Sequence, residues 1–375
     1  MDVLRRPEVR ATLLEALEGV DRLVLLGDVL ELRHGPRRDA LAGARSFFED
    51  LGLAFAEREV VVLAGNHDHA LAEPWLARRG ELPEAQPLGV EQRFAAEESS
   101  PMLATLAQWA APARVSGAYP GIWLRPDVYA THGHYLDCHL TIPTMERLGI
   151  GAMARILRRP PASFATPEDY EAVTGPVFAW VDAVARQART SGALNGASTV
   201  RAWRALGGDG RSASTVRTRA LAGAFPLAVG ALNRAGLGPL RPDISSPELR
   251  RAGLRAMGEV ATRLALDGPP RLDATHTTAG GNGPRAGAAQ TTVIFGHTHR
   301  AGPLPDDAPH EWLAPGGARL MNAGCWTYDG YFLTATPGES PYWPGGCVVV
   351  DDEGPPILRR LLESREHAEL APTKA

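Results

Sequence analysis

The chain has 375 residues, a net charge of -4, 44% hydrophobic and 22% charged residues, which describes a globular chain of one large or two ordinary domains and excludes a disordered one. The charge balance gives no case for nucleic-acid binding. Three cysteines, an odd number without CxxC spacing, argue against a disulfide framework and for a reducing, cytoplasmic compartment.

Residues 1–20 carry charge throughout and contain no apolar core of a signal peptide. Residues 7–17 read as a helix with Pro7 in its first turn. An apolar run at 22–26 reads as a buried strand that ends in Gly27-Asp28. Asp28 at that turn is a candidate bridging metal ligand, because a carboxylate has two oxygens; a helix cap or turn role is the structural alternative. Residues 39–58 follow as an amphipathic helix, with apolar positions at Leu41, Ala44, Phe47, Phe48, Leu51 and Phe55.

A second strand at 60–64 ends in Gly65-Asn66-His67-Asp68. Asn66 offers a neutral oxygen ligand, or an Asx-turn. His67, with its other nitrogen held by the Asp68 carboxylate, has the makings of a positioned acid; His69 reads as a bystander. A third strand at 128–131 delivers His132 to the same metal and His134 to the substrate. Cys138 and His139 close behind do not make a separate metal set. A fourth strand at 292–295 ends in Gly296-His297-Thr298-His299, whose two rings can serve two neighbouring metals or form a solvated pair. Further strands are expected at 319–322 and 347–351. Strands alternating with helices indicate an α/β layered core, with ligands beyond the carboxyl ends of the strands.

Residues 140–272 differ. The segment lacks strand-like runs and reads as a helical insert or cap. Over residues 151–265 it holds 16 Arg and 8 acidic residues, so it carries about +8 against about -12 elsewhere. Its least polar stretch, 220–232, is too short to span a membrane and reads as a buried helix, with peripheral contact to a lipid as the other reading. Residues 273–290, rich in Gly, Thr and Ala, read as a flexible linker. The core resumes over 291–362, and 363–375 reads as a frayed tail.

The ordered motifs resemble the calcineurin-like metallophosphoesterase superfamily, over roughly residues 1–140 and 290–351. Its pattern is Asp-x-His, Gly-Asp, Gly-Asn-His-Asp/Glu, a His before Gly, and Gly-His-x-His; the last four are present, and Asn322-Ala323-Gly324-Cys325-Trp326 is similar to the turn that often follows them. The resemblance implies a four-layer αββα sandwich with two divalent ions, of Mn, Fe or Zn. It implies that Asp28 bridges both, that Asn66, His132 and His297 complete one, and that His299 serves the other. His67, with Asp68 behind it, would contact the phosphate and protonate the leaving oxygen, while a metal-activated hydroxide attacks phosphorus.

The Asp-x-His motif is absent: Met1-Asp2-Val3 precedes a helix, and no His follows Asp2 by two residues. The expectation is a chain that starts late, without a first strand and two ligands of one ion, so that the second ion is in question. The function expected is hydrolysis of a phosphomonoester, phosphodiester or pyrophosphate of a phosphorylated small molecule. The alternatives are a UDP-diacylglucosamine-type pyrophosphohydrolase acting on a lipid-linked diphosphate, and a non-catalytic scaffold with a degenerate site.

Overall fold

The computed structural model describes residues 2–33, 36–82, 87–187, 216–266 and 290–371, with the side chains of 186–187 and 216–223 outside the description. Its first strand, β1 (Arg22–Leu25), lies at a sheet edge and pairs in parallel with β2 (Glu59–Leu63). β2 pairs in parallel with the start of a 12-residue strand, β4 (Arg114–Arg125), and β3 (Glu91–Ala95) joins β4 antiparallel. β4 then pairs antiparallel with β5 (Val128–Thr131), which continues in parallel to β6 (Thr292–Phe295) and β7 (Arg319–Asn322). A separate hairpin joins β8 (Gly346–Val349) and β9 (Ile357–Arg360).

This pairing positions the site. The carboxyl end of β2 stops at the level of Ala118, and that of β5 at the level of Gly121. The two parallel halves of the sheet therefore point at each other across the middle of β4. Every motif loop leaves its strand into that gap.

β2 shows why the sheet is covered on both sides. Its run Val60-Val61-Val62-Leu63 is buried without alternation, as a strand packed on both faces requires. Val60 and Val62 enter a core formed with α1 (Pro7–Ala16), α2 (Arg37–Ala54) and, after the short α3 (Glu73–Gly80) and α4 (Ala96–Ser99), α5 (Pro101–Trp109). Val61 and Leu63 enter a second core on the opposite face, against which Val348 of β8 packs. α2 buries Ala44, Phe47, Phe48 and Leu51, the stripe its periodicity predicts. It approaches α5 closely at Gly52, where a Cβ would lie 2.5 Å from the Ala110 oxygen. The strands expected from the sequence all form. β3 and β4 escape sequence reading because Ser116, Gly117, Pro120 and Gly121 interrupt the β pattern. Two of these glycines are needed: a Cβ at Gly117 would meet the Phe94 ring at 2.0 Å, and one at Gly121 the Tyr129 hydroxyl at 2.2 Å.

The described part of the insert is helical, as expected: α6 (Met145–Leu157), α7 (Pro167–Gln187), α8 (Val216–Arg234) and α9 (Ser246–Arg263). Thr144 and Ser245 cap α6 and α9 by accepting from Arg147 N and Glu248 N. The insert is not an independent unit. Ile150, Tyr170, Val173 and Met257 share one core with Tyr129, Val293 and Phe295 of the sheet.

Two expectations change. Over its described side chains, 224–232, the 220–232 run is a helix but not a buried one: Val229 is buried, but Leu227 is 78% exposed and residues 224, 226, 228 and 231 are exposed as well. Its small residues and Pro226 provide too little apolar surface to hold a full face in a core. The tail does not fray through 371, because Leu370 is buried and α10 (His367–Leu370) is closed by a reciprocal Glu366–Glu369 capping box. The expected linker at 273–290 lies outside the described residues except for Gln290. Among the described residues, no helix is long and apolar enough to cross a membrane.

Candidate metal centre

Two glycines let the motif loops meet. Gly27 adopts φ +87°, and a Cβ there would sit 2.7 Å from both Gly65 N and His132 Nδ1. A Cβ on Gly65 would lie 2.2 Å from Asp28 Oδ1. Asp28 itself is held at φ +52° and His299 at φ +61°, a left-handed conformation costly for residues with a Cβ and concentrated at functional sites.

Four ligand atoms converge there. His132 Nε2 lies 3.1 Å from Asn66 Oδ1, 3.4 Å from Asp28 Oδ2 and 3.2 Å from His297 Nδ1. The Asn66 atom is 3.2 Å from both His297 Nδ1 and Asp28 Oδ2. A tetrahedron with ligand bonds of ~2.0–2.1 Å has edges of about 3.3–3.4 Å. The set of two imidazole nitrogens, one carboxylate oxygen and one amide oxygen thus fits a divalent ion. Without a cation the carboxamide would do better reversed, its nitrogen donating to the same three atoms, which identifies the spot as a concentration of lone pairs.

The supporting contacts fix the rings for that role. His132 Nδ1 donates to the Leu26 carbonyl at 2.7 Å, leaving Nε2 with its lone pair toward the centre. His297 Nε2 is held by Asp137 Oδ2 at 3.0 Å, leaving Nδ1. Arg33 Nε donates to the Asn66 carbonyl at 3.1 Å. Burial acts to raise the Asp28 carboxyl, but the His132, His67 and His297 rings outweigh it and hold the group well below the usual carboxylate range. His132 moves the other way: burial opposes its charge, and Asp28 raises it.

Asp68 does not stand behind His67. Its Oδ1 accepts from Gly65 N at 2.7 Å and Asp28 N at 3.1 Å, and its Oδ2 from Val29 N at 2.7 Å and Leu30 N at 3.1 Å. Those four bonds fill the lone pairs of a carboxylate and tie the Gly27-Asp28 loop to the Asn66 loop. Burial and the Asp28 charge still push Asp68 up to about 6. The carboxylate on His67 Nδ1 is Glu31, at 2.7 Å. Burial works against the His67 charge, and Asp28 and Glu31 overcome it and raise the group.

His299 lies outside the four-atom set. It lines the same two clefts as Asp28 and His67, and burial, against the opposing pull of Asp28, pushes it down to about 4. One cleft, of about 460 Å³, runs from Asp28 and His299 to Asp2, Glu31 and Asp329. Asp2 accepts from Tyr328 N at 3.0 Å there. The other, of about 270 Å³, opens between the four-atom set and the insert.

His134 does not face substrate. It is buried, and its Nε2 meets the Tyr119 hydroxyl at 3.0 Å. Nor is His69 a bystander: its Nε2 contacts Glu171 Oε2 at 3.1 Å. Glu171, from α7, also accepts from Tyr135 at 2.8 Å and from Tyr119. One insert carboxylate thus ties together the Asn66 loop, the His132 loop and β4. Cys138 is buried and unpaired, as are Cys325 and the half-buried Cys347.

Sequence reading missed Asp137, Glu31 and Glu171. Asp137 has a local signal, a carboxylate five residues after a ligating His; Glu31 and Glu171 have none. Comparison with known proteins found no match to a family model, a curated protein or a solved structure.

Proposed function

We propose that this protein is a metal-dependent hydrolase of phosphate esters, with the αββα arrangement and the chemistry of the calcineurin-like metallophosphoesterases. The observation that carries the reading is the tetrahedral set of Asp28, Asn66, His132 and His297 beside an open cleft, each ligating His held by a second partner. The coverage of the sheet by helices on one face and by β8 on the other supports the layered fold.

A divalent ion of the Mn, Fe or Zn type, held by those four side chains, would polarise a phosphoryl oxygen and acidify water. The chain supplies the rest. His67, which Asp28 and Glu31 raise against burial, lines the cleft where the anionic ester would bind. With Nδ1 on Glu31, delivery of a proton to the leaving oxygen falls to Nε2. The 2.8 Å bond from His67 N to Asp28 Oδ1 keeps that acid in register with the metal ligand. A second ion, as the resemblance implies, would draw on Asp28 and His299.

The test is metal analysis of the purified chain grown with manganese, followed by turnover of p-nitrophenyl phosphate and bis(p-nitrophenyl) phosphate. One or two ions per chain and metal-dependent turnover are expected, both lost in His297→Ala. A chain that binds no ion, or turns over neither ester with ions bound, is a scaffold and refutes the reading.

A further inference from the structure

The cleft between the four-atom set and the insert is not uniformly polar. Leu136, Leu140, Leu249 and Leu254 line it together with two arginines, Arg250 and Arg300. These come from different elements. Arg300 follows His299 directly, and Arg250 lies in the first turn and a half of α9. α9 is pressed onto the Gly296–His299 turn at Gly253, where a Cβ would lie 3.3 Å from the Thr298 methyl. That approach brings Arg250 to the metal-centre cleft.

Both cations have unused capacity. Arg250 is half-buried and makes no hydrogen bond or ion pair among the described residues, although its neighbours do: Arg251 pairs with Glu311 at 2.9 Å and Arg255 with Glu248. Arg300 is 7% exposed and lies over the Trp312 ring at 4.9 Å. Its Nη2 donates to Asp307, but its Nε and Nη1 find no acceptor among the described residues. Both line the same cleft of about 270 Å³, together with Tyr342. The acids lining this cleft are committed elsewhere: Asp137 to His297, Glu146 to Arg33, Asp28 to the four-atom set. A buried guanidinium with two unmet N–H groups is costly unless an anion completes it.

We infer that Arg250 and Arg300 form an anion subsite beside the metal centre, so that the substrate carries a second anionic group, such as a second phosphate, next to an apolar portion lying on the leucines. The inference rests on the hydrolase reading for what happens at the metal, though the subsite itself is a binding property. Arg250 is then a specificity-determining residue contributed by the insert, which explains why a basic helix covers this end of the molecule.

The experiment is calorimetric titration of the manganese-loaded chain with ADP and with AMP, which differ by one phosphate. ADP is expected to bind about tenfold tighter, on the scale of one charge-assisted hydrogen bond. Arg250→Ala should collapse that ratio to about twofold or less, and Arg250→Lys should restore part of it. Arg251→Ala, on the same helix but paired with Glu311, should keep it. Equal binding of the two nucleotides by the parent chain, or a ratio that Arg250→Ala leaves intact, overturns the subsite. A chain that shows the preference and loses it in Arg250→Ala, yet turns over no ester, keeps the subsite and refutes only the hydrolase.

Discussion

At the scale of single residues, the chemistry rests on which atom of each side chain is left facing the centre. His297 presents Nδ1 only because Asp137 takes Nε2. Asp137→Asn should therefore weaken manganese binding by about 10–100-fold, the usual cost of losing a carboxylate behind a ligating imidazole. Titration with metal measures it, and unchanged affinity would show that the contact is incidental. His67 has the opposite profile, since it stands beside the four-atom set and not in it. His67→Ala should lower turnover by about 10²–10⁴-fold while the bound metal stays constant. Loss of the ion together with turnover would reassign His67 as a ligand.

At the scale of elements, the site depends on loops that touch without side chains between them. Gly65→Ala places a methyl 2.2 Å from Asp28 Oδ1, so the two loops must separate. A loss of about 1–3 kcal/mol in unfolding free energy is expected, with metal binding abolished. Denaturant unfolding that matches the parent protein would contradict it. α7 is tied down by Glu171, whose carboxyl burial acts to raise but His69, Tyr119 and Tyr135 hold below its ordinary value of 4.5. A depressed carboxylate stabilises the fold above its unfolded pKa, and that contribution is lost as pH falls through the folded value. Glu171→Gln should therefore destabilise the protein at neutral pH and flatten the loss of stability below about pH 4.5. Parallel pH–stability curves for the two proteins would rule out this role for the clamp.

Across the whole molecule, the candidate metal centre joins both halves of the sheet. Asp28 and Asn66 come from the β1–β2 side, and His132 and His297 from the β5–β6 side. An ion at their meeting point cross-links segments up to 269 residues apart in sequence, between Asp28 and His297. At free manganese 100 times its Kd, one site should add about 2.7 kcal/mol to the stability of the folded chain. Thermal unfolding with manganese and with a chelator reads this directly, and superimposable melting curves would mean that the folded state holds no such ion.

Much of this was legible along the chain. An apolar run ending at Gly and a polar ligand is a local signal, and Asp28, Asn66, His132 and His297 carried it, as did β1, β2, β5, β6 and the helices α1 and α2. The ligand set depends on residue type and strand termini, which sequence displays. What surrounds the ligands does not. Asp68 was misassigned because neighbours along the chain look like partners, whereas its oxygens are used by the Gly65 amide and three amides of the opposite loop. Glu31 and Glu171 find their partners 36 and 102 residues away, at His67 and His69, and Arg250 lines the same cleft as His297, 47 residues away. β4 was hidden because its glycines and proline serve packing against Phe94 and Tyr129 and break the β pattern. The sequence by itself determined the residue types of the candidate ligand set and the α/β class, since both follow from local periodicity and side-chain chemistry. Only the tertiary structure decided which acid holds which ring and which arginine faces the cleft, because those pairings are contacts between distant segments with no local physical signature.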